Sequence, residues 1–360
     1  MIILPLESIE HLEFMKLPIL LFCLCFWSAR CQETPSNQQA TLPKVENKMC
    51  GLSFVAPPQP FKNDPMLDIA AVAADWIAVI PYAYTHKNGN QVHYNESDWQ
   101  WWGERPEGAR VTIQLAKAAG IKVMLKPQVY LPGSWPGDLS FDKDADWQAW
   151  ATSYEAYILP FAQMADSLEV DLFCIGTEFK KTVQKREQFW RQLIQKIRTV
   201  YTGKLTYAAN WDEYSLVPFW DALDYIGVDA YFPLLHQKTP LVEDLVKAWQ
   251  PYQTALRRYS QKENRPILFT EFGYLSVDAC AGKTWELEAK VQQLPINEQA
   301  QANAIDALLT VFWDKSYWAG GFIWKWFPEG KGHEGYLDRA YTPQGKKAAT
   351  ILKKWYLQKE

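Results

Sequence analysis

Two glutamates stand in matching surroundings. Glu178 lies in CIGTEF, residues 174–179, just after the apolar residues Val170, Leu172 and Phe173. Glu271 lies in ILFTEFGY, residues 267–274. Each is flanked by Thr and Phe and closes a short apolar run. A buried parallel strand reads as such a run, and its end is where it delivers a side chain to the rim of a sheet. The two are 93 residues apart. A (β/α)8 barrel uses about 31 residues per βα unit, so the separation is that of three units. It places the carboxylates on strands four and seven of one barrel, facing one mouth. Two carboxyl groups about 5 Å apart across a sugar-sized cleft suit retaining glycoside hydrolysis. One attacks the anomeric carbon; the other protonates the leaving oxygen and then deprotonates water. Their surroundings must differ, so that one is ionised while the other keeps a proton. We assign Glu271 as nucleophile and Glu178 as acid/base. A single buried Glu would serve equally well as an ion-pair partner, but two at matched strand ends favour chemistry.

The elements that must carry them alternate along the chain. Strands are expected at residues 51–56, 75–81, 121–127, 171–177, 204–210, 224–232, 266–272 and 320–326. Helical patterns fall at 65–74, 106–119, 144–167, 185–201, 212–220, 241–259, 297–314 and 343–357, with 212–220 the weakest. Eight strands, each followed by a helix, argue for an α/β fold closed as a single (β/α)8 TIM barrel. No GxGxxG or Walker pattern follows the first strand, which removes the main reason to prefer a nucleotide fold. No internal repeat or second domain is evident. The longest strand-to-helix connections, 273–296 and 83–105, are the expected cleft walls, because such loops lie on the catalytic face. The second holds His86, His93, Tyr94, Trp99, Trp101 and Trp102.

Composition narrows the field. A 360-residue chain with 48% hydrophobic and 22% charged residues has enough apolar content for one large core. The formal net charge is −4, without a basic cluster, so nucleic acid is an unsuitable partner. The aromatic content of 15%, including 18 Trp, supplies rings that in loops can stack on sugar faces and elsewhere simply pack. Residues 17–27 (LPILLFCLCFW), preceded by Lys16, are apolar and too short to span a bilayer. They read as a secretory signal within residues 1–31, with Met15 as the natural start, because Glu7, Glu10 and Glu13 do not fit a positive leader. A second reading makes Cys31 a lipid anchor, which Arg30 fits poorly. Residues 32–48 are polar and Pro/Gln-rich and read as a flexible tether, leaving 49–360 for the barrel. Cys50, Cys174 and Cys280 have no metal-ligand spacing, and His86 and His93 lack a third ligand. No metal and no cofactor is expected.

Several segments together resemble glycoside hydrolase family 113. They are FTEFGY around Glu271, IGTEF around Glu178, VDAYFPL at 228–234, LKPQVY at 125–130, FIWKWFP at 322–328 and YTPQGKKA at 341–348. The resemblance runs from about residue 50 to the C-terminus. It implies a (β/α)8 retaining glycosidase, chiefly an endo-β-1,4-mannanase, with acid/base and nucleophile at Glu178 and Glu271. One position departs from the wider clan, which often has Asn just before the acid/base to meet the sugar 2-hydroxyl. Here it is Thr177, and Asn210 at the end of strand five is a candidate substitute amide.

Further candidates follow from position. Tyr231 ends strand six, beside Glu271, where its hydroxyl could bond the nucleophile, as a similar donor does in related barrels. Trp324 and Trp326 are expected to share a strand face, one of them flooring the reacting sugar's subsite. Lys126 and Gln128 end strand three and could bind sugar hydroxyls; for Lys126 a plain surface charge is the alternative. The expectation is a secreted or periplasmic monomer without a membrane span, hydrolysing a β-mannan-type polysaccharide by double displacement. The alternatives are an exo-β-mannosidase or β-glucanase on the same barrel, or a glycan-binding barrel without catalysis.

Overall fold

The structure is a computed structural model and describes residues 42–95, 100–328 and 337–359. The expected signal segment 1–31, Met15, Cys31, most of the tether and Trp99 lie outside the described residues. Eight strands form a closed, all-parallel barrel: β1 (Met49–Phe54), β2 (Trp76–Val79), β4 (Lys122–Leu125), β6 (Leu172–Thr177), β7 (Lys204–Asn210), β8 (Tyr225–Asp229), β9 (Ile267–Phe272) and β10 (Trp318–Trp326). Closure joins the first strand to the last, with Cys50 opposite Gly321. Two short strands, β3 (Tyr82–Tyr84) and β5 (Gln128–Tyr130), extend β2 and β4 beyond the barrel rim as a separate parallel pair. The helices are α1 (Leu67–Ala71), α2 (Pro106–Ala118), α3 (Asp144–Ser167), α4 (Lys180–Lys185), α5 (Glu187–Arg198), α6 (Val242–Glu263), α7 (Thr284–Glu288), α8 (Glu298–Phe312) and α9 (Lys347–Tyr356).

Strand alternation divides the core in two. Trp76, Ala78 and Ile80, with Met124, Leu172, Cys174, Leu268 and Phe322, fill the barrel interior. Ile77, Val79, Val123, Phe173, Ile175 and Phe269 face outward into the layer shared with the helices. Burial on both faces explains why the strands read as continuous apolar runs rather than alternating ones. Gly51 must lack a side chain, because a Cβ there would fall 2.3 Å from the Phe322 ring that fills the barrel. At the base, the Val45 amide donates to Ser316 and the Lys48 ammonium to the carbonyls of Lys315 and Trp318, so the described chain is already held before β1.

The ladders slip in four of the strands. Register shifts occur between Leu52 and Phe54, Cys174 and Thr177, Val228 and Asp229, and Gly321 and Ile323. A further shift in β10 falls earlier, between Trp318 and Gly321. Bulges of this kind bend a strand and re-aim the side chains beyond them. At residues 212–220, the weak helix of the sequence reading is absent. Two 3₁₀ turns stand there instead, Tyr214–Leu216 and Trp220–Ala222. The expected helix over 185–201 begins at Lys180 and breaks at Arg186.

Candidate active site

Glu271 is almost fully buried and enclosed by donors. The Lys126 ammonium bonds its Oε1, and Gln128 Nε2 donates to the same oxygen at 3.1 Å. Tyr231 Oη donates to Oε2 at 2.7 Å. These three come from beyond barrel strands three and six, so the carboxylate on strand seven is gripped from across the mouth and from its neighbour. Each donor stabilises the charged form of an acid it faces.

Lys126 is wholly buried, and a second carboxylate explains how. Asp229 Oδ1 lies 3.5 Å from its ammonium and accepts from Thr270 Oγ1 at 2.7 Å. Burial alone would pull the lysine down. The Asp229 and Glu271 charges more than offset this and hold it above its ordinary range. Burial first, then the neighbouring Glu271 charge, pushes Asp229 well above the usual carboxylate range, against the pull of Lys126. Lys126 and Gln128 therefore converge on Glu271. The alternative of a plain surface charge at Lys126 is corrected: the ammonium is wholly buried between two carboxylates.

Glu178 is in a different setting. It sits one residue beyond β6, in a left-handed turn at φ 55°. Its amide donates to the Ala208 carbonyl of strand five at 2.8 Å. The next amide, that of Phe179, donates to Tyr207 Oη at 2.6 Å, and that hydroxyl donates to buried Glu213 at 2.7 Å. The turn that aims Glu178 is thus fixed to β7 at two consecutive residues. The Glu178 carboxyl is pushed up to about 8, first by burial and then by the Glu271 charge, against a lowering bond from Trp135 Nε1 at 2.5 Å. The Glu271 charge is thus felt at Glu178.

The remaining expected residues divide. Tyr231 is where the sequence places it. Trp324 is half-buried and lines a cavity of about 480 Å³ at the mouth, together with Lys325, Tyr82, Tyr84, Trp101, Glu104 and Tyr130. Trp326 is buried in the outer core. Of the loop aromatics, Trp101 lines the cavity, while Trp102 packs edge-on against Phe61. His86 and His93 lie with ring centroids 5.2 Å apart. The Asn210 amide is engaged in its own turn, donating to Asp212 at 3.2 Å and accepting from the Trp211 amide at 2.9 Å. Thr177 Oγ1 is buried and finds no hydrogen-bond partner among the described residues.

Sequence reasoning missed Asp229, Glu213 and Trp135. Asp229 and Glu213 carry no local signal, because what makes them matter is contact with residues far along the chain. Trp135 had one: it sits in PGSWPG, a double turn that holds an aromatic ring up at a loop tip.

The sequence profile of glycoside hydrolase family 113 matches residues 59–346. The chain belongs to that family. The fold agrees. A solved family 113 β-1,4-mannanase in complex superposes with a TM-score of 0.73 at 24% identity, over 87% of this chain and 99% of the other. The family 113 β-mannanase of Alicyclobacillus acidocaldarius, in complex with ManMIm, gives 0.74 at 24% identity, over 86% and 97%. A β-glucuronidase from Ruminococcus gnavus shares the barrel more distantly, at 0.55 and 14% identity, over 87% of this chain and 50% of that one. A search of curated proteins returns no match. The family 113 chain described here is a glycoside hydrolase.

Proposed function

We propose that this family 113 hydrolase cleaves β-1,4-mannosidic bonds in mannan or glucomannan by double displacement, with Glu271 as nucleophile and Glu178 as acid/base. The observation that carries this is the contrast between the two carboxyls. Glu271 faces an ammonium, an amide and a phenol, all donors, which suits an anion that must attack. Glu178 is held up at about 8, so it keeps its proton near neutrality, which suits an acid that must give one.

The coupling also supplies the change of role. Part of the upward push on Glu178 is the charge of Glu271. When Glu271 bonds to the anomeric carbon, that charge disappears and Glu178 becomes a weaker proton holder. It is then suited to take the proton from the attacking water. Water attack at the anomeric carbon releases Glu271 as carboxylate, and Glu178 regains the proton. The mannan substrate is carried over from the two mannanases that share this fold.

The test is chemical rescue on an activated β-mannoside, such as a dinitrophenyl mannoside. Glu178→Ala should form the glycosyl-enzyme and stall, because this leaving group needs no acid but water needs a base. Added azide should then restore turnover and yield the β-azide. Glu271→Ala should give no turnover through a covalent intermediate. An α-azide from Glu178→Ala, or a β-azide from Glu271→Ala, overturns the roles. Release of reducing sugar from mannan, glucomannan, galactomannan and β-glucan, measured side by side, tests the substrate.

A further inference from the structure

Among the described residues, one side chain hydrogen-bonds the Glu178 carboxyl, and it comes from a surface loop. Trp135 donates from Nε1 to Oε2 at 2.5 Å. The ring is only half-buried, and Pro132, Gly133 and Ser134 before it are exposed. An aromatic at such a tip is held only if the loop itself is built to hold it.

The loop has that construction. Trp135 caps a 3₁₀ turn over Pro136–Asp138, whose Asp138 amide closes on the Trp135 carbonyl at 3.0 Å. Gly137 lies directly beneath the indole. A Cβ at that position would come 2.3–2.5 Å from three atoms of the six-membered ring, so the ring lies flat in the space that a side chain would fill. The turn is strapped to α4, the helix that begins two residues after Glu178. Lys181 pairs with Asp138 at 2.9 Å, and the Lys180 ammonium lies 6.0 Å over the Trp135 ring.

We propose that Trp135, seated in the notch at Gly137, is the positioning residue of the acid/base. The indole N–H occupies Oε2 and leaves Oε1 to carry the proton to the glycosidic oxygen. The chemistry of the group requires this division. An indole nitrogen only donates and cannot accept. The acid's proton must therefore sit on the other oxygen. Once it has moved to the leaving oxygen, the N–H remains as a donor to the new carboxylate and stabilises it. This inference rests on the acid/base reading of Glu178 given above.

The experiment compares Trp135→Phe, Gly137→Ala and Glu178→Ala on two substrates, a manno-oligosaccharide and a dinitrophenyl β-mannoside. The measured quantity is kcat/KM, which for the activated glycoside reports formation of the glycosyl-enzyme. Thermal melting confirms that each variant is folded. Trp135→Phe should lose about 10–100-fold in kcat/KM on the oligosaccharide, the value of one hydrogen bond to a charged group. It should change little on the activated glycoside. Its alkaline limb should move to higher pH, because a bond that favours the carboxylate has been removed. Gly137→Ala should reproduce this pattern with the indole still present, since the methyl displaces the ring.

Equal losses on both substrates, or an unmoved alkaline limb, overturn the positioning role. A Gly137→Ala enzyme that behaves as wild type overturns the notch. If Glu178→Ala itself fails to separate the two substrates, the acid/base assignment falls and this proposal falls with it. If Glu178→Ala separates them and Trp135→Phe does not, only this proposal falls.

Discussion

Among single residues, Lys126 decides most about the site. It is a buried ammonium between two carboxylates, and the three groups are not equivalent. Removing one partner of a buried ion pair costs about 3–5 kcal/mol, because a charge is left in the interior without compensation. Lys126→Met leaves Glu271 and Asp229 facing each other with nothing between them. We expect a loss of that size in the free energy of unfolding, with glycoside hydrolysis abolished. Asp229 is pushed upward by burial and by Glu271, which means that it holds its proton more readily than an ordinary carboxyl. Asp229→Asn keeps the shape and the bond to Thr270 but removes one of the two charges that hold Lys126, leaving Glu271 as the counter-charge, so it should cost less than Lys126→Met and retain the fold. Denaturant midpoints and kcat for the two variants check this. A harmless Lys126→Met, or an Asp229→Asn as damaging as it, would show that the charge balance is drawn wrongly. The sequence showed Lys126 at a strand end but not the carboxylates it pairs with. Its acceptor, Glu271, is 145 residues away, and only the closed barrel brings the two together.

At the scale of elements, the strand ends show how far the chain can be read from its pattern. Strand β7 and helix α3 fall on the residues that the apolar periodicity marks, Lys204–Asn210 and Asp144–Ser167. Both have long uninterrupted patterns and few competing turn residues. The segment after β7, residues 212–220, is the weakest of the expected helices. Tertiary contacts override that pattern. Glu213 is drawn inward to accept from Tyr207 and from the Asn210 amide, and the chain beyond it forms 3₁₀ turns in place of a regular helix. That inward glutamate yields a pH prediction. Burial pushes Glu213 up to about 8, against the lowering bonds from Tyr207 and Asn210. Unfolded glutamate titrates near 4.3. Between those values the folded state binds more protons than the unfolded one, so stability falls as pH rises. The contribution is fully present below about pH 4 and lost as pH passes 8. Relative to Glu213→Gln, which cannot titrate, the wild type should lose stability steadily from about pH 5 to 8. Unfolding free energies at several pH values test this, and parallel curves for the two proteins would reject it. Tyr207 links Glu213 to the amide that follows Glu178, so the same titration should reach the turn that carries Glu178.

For the molecule as a whole, the critical join is the seam where β10 meets β1. A barrel places its carboxylates face to face only if the sheet closes, and closure here pairs Met49 with Gly320, residues from opposite ends of the domain. Such contacts come late and carry a high entropic cost in chain closure, so the seam needs support from outside. Helix α9 supplies it. Ala348, Leu352 and Tyr356 are buried, and Tyr356 Oη donates to the Gly51 carbonyl at 3.0 Å, across 305 residues. Lys359 pairs with Asp75 at 3.1 Å, just ahead of β2. The last helix therefore buttresses the first strands, and its packing should matter far more than its surface charge. Leu352→Ala should cost about 2–5 kcal/mol, the loss of a buried leucine together with the cavity it leaves. Lys353→Ala, on the exposed face of the same turn, should change stability by no more than about 0.5 kcal/mol. Urea unfolding followed by tryptophan fluorescence measures both. Because the seam closes the barrel, the Leu352→Ala enzyme should also lose glycoside hydrolysis at a lower temperature than wild type, with kcat unchanged at low temperature. If activity instead fell at every temperature while stability held, α9 would be shaping the site directly and not securing the barrel that carries it.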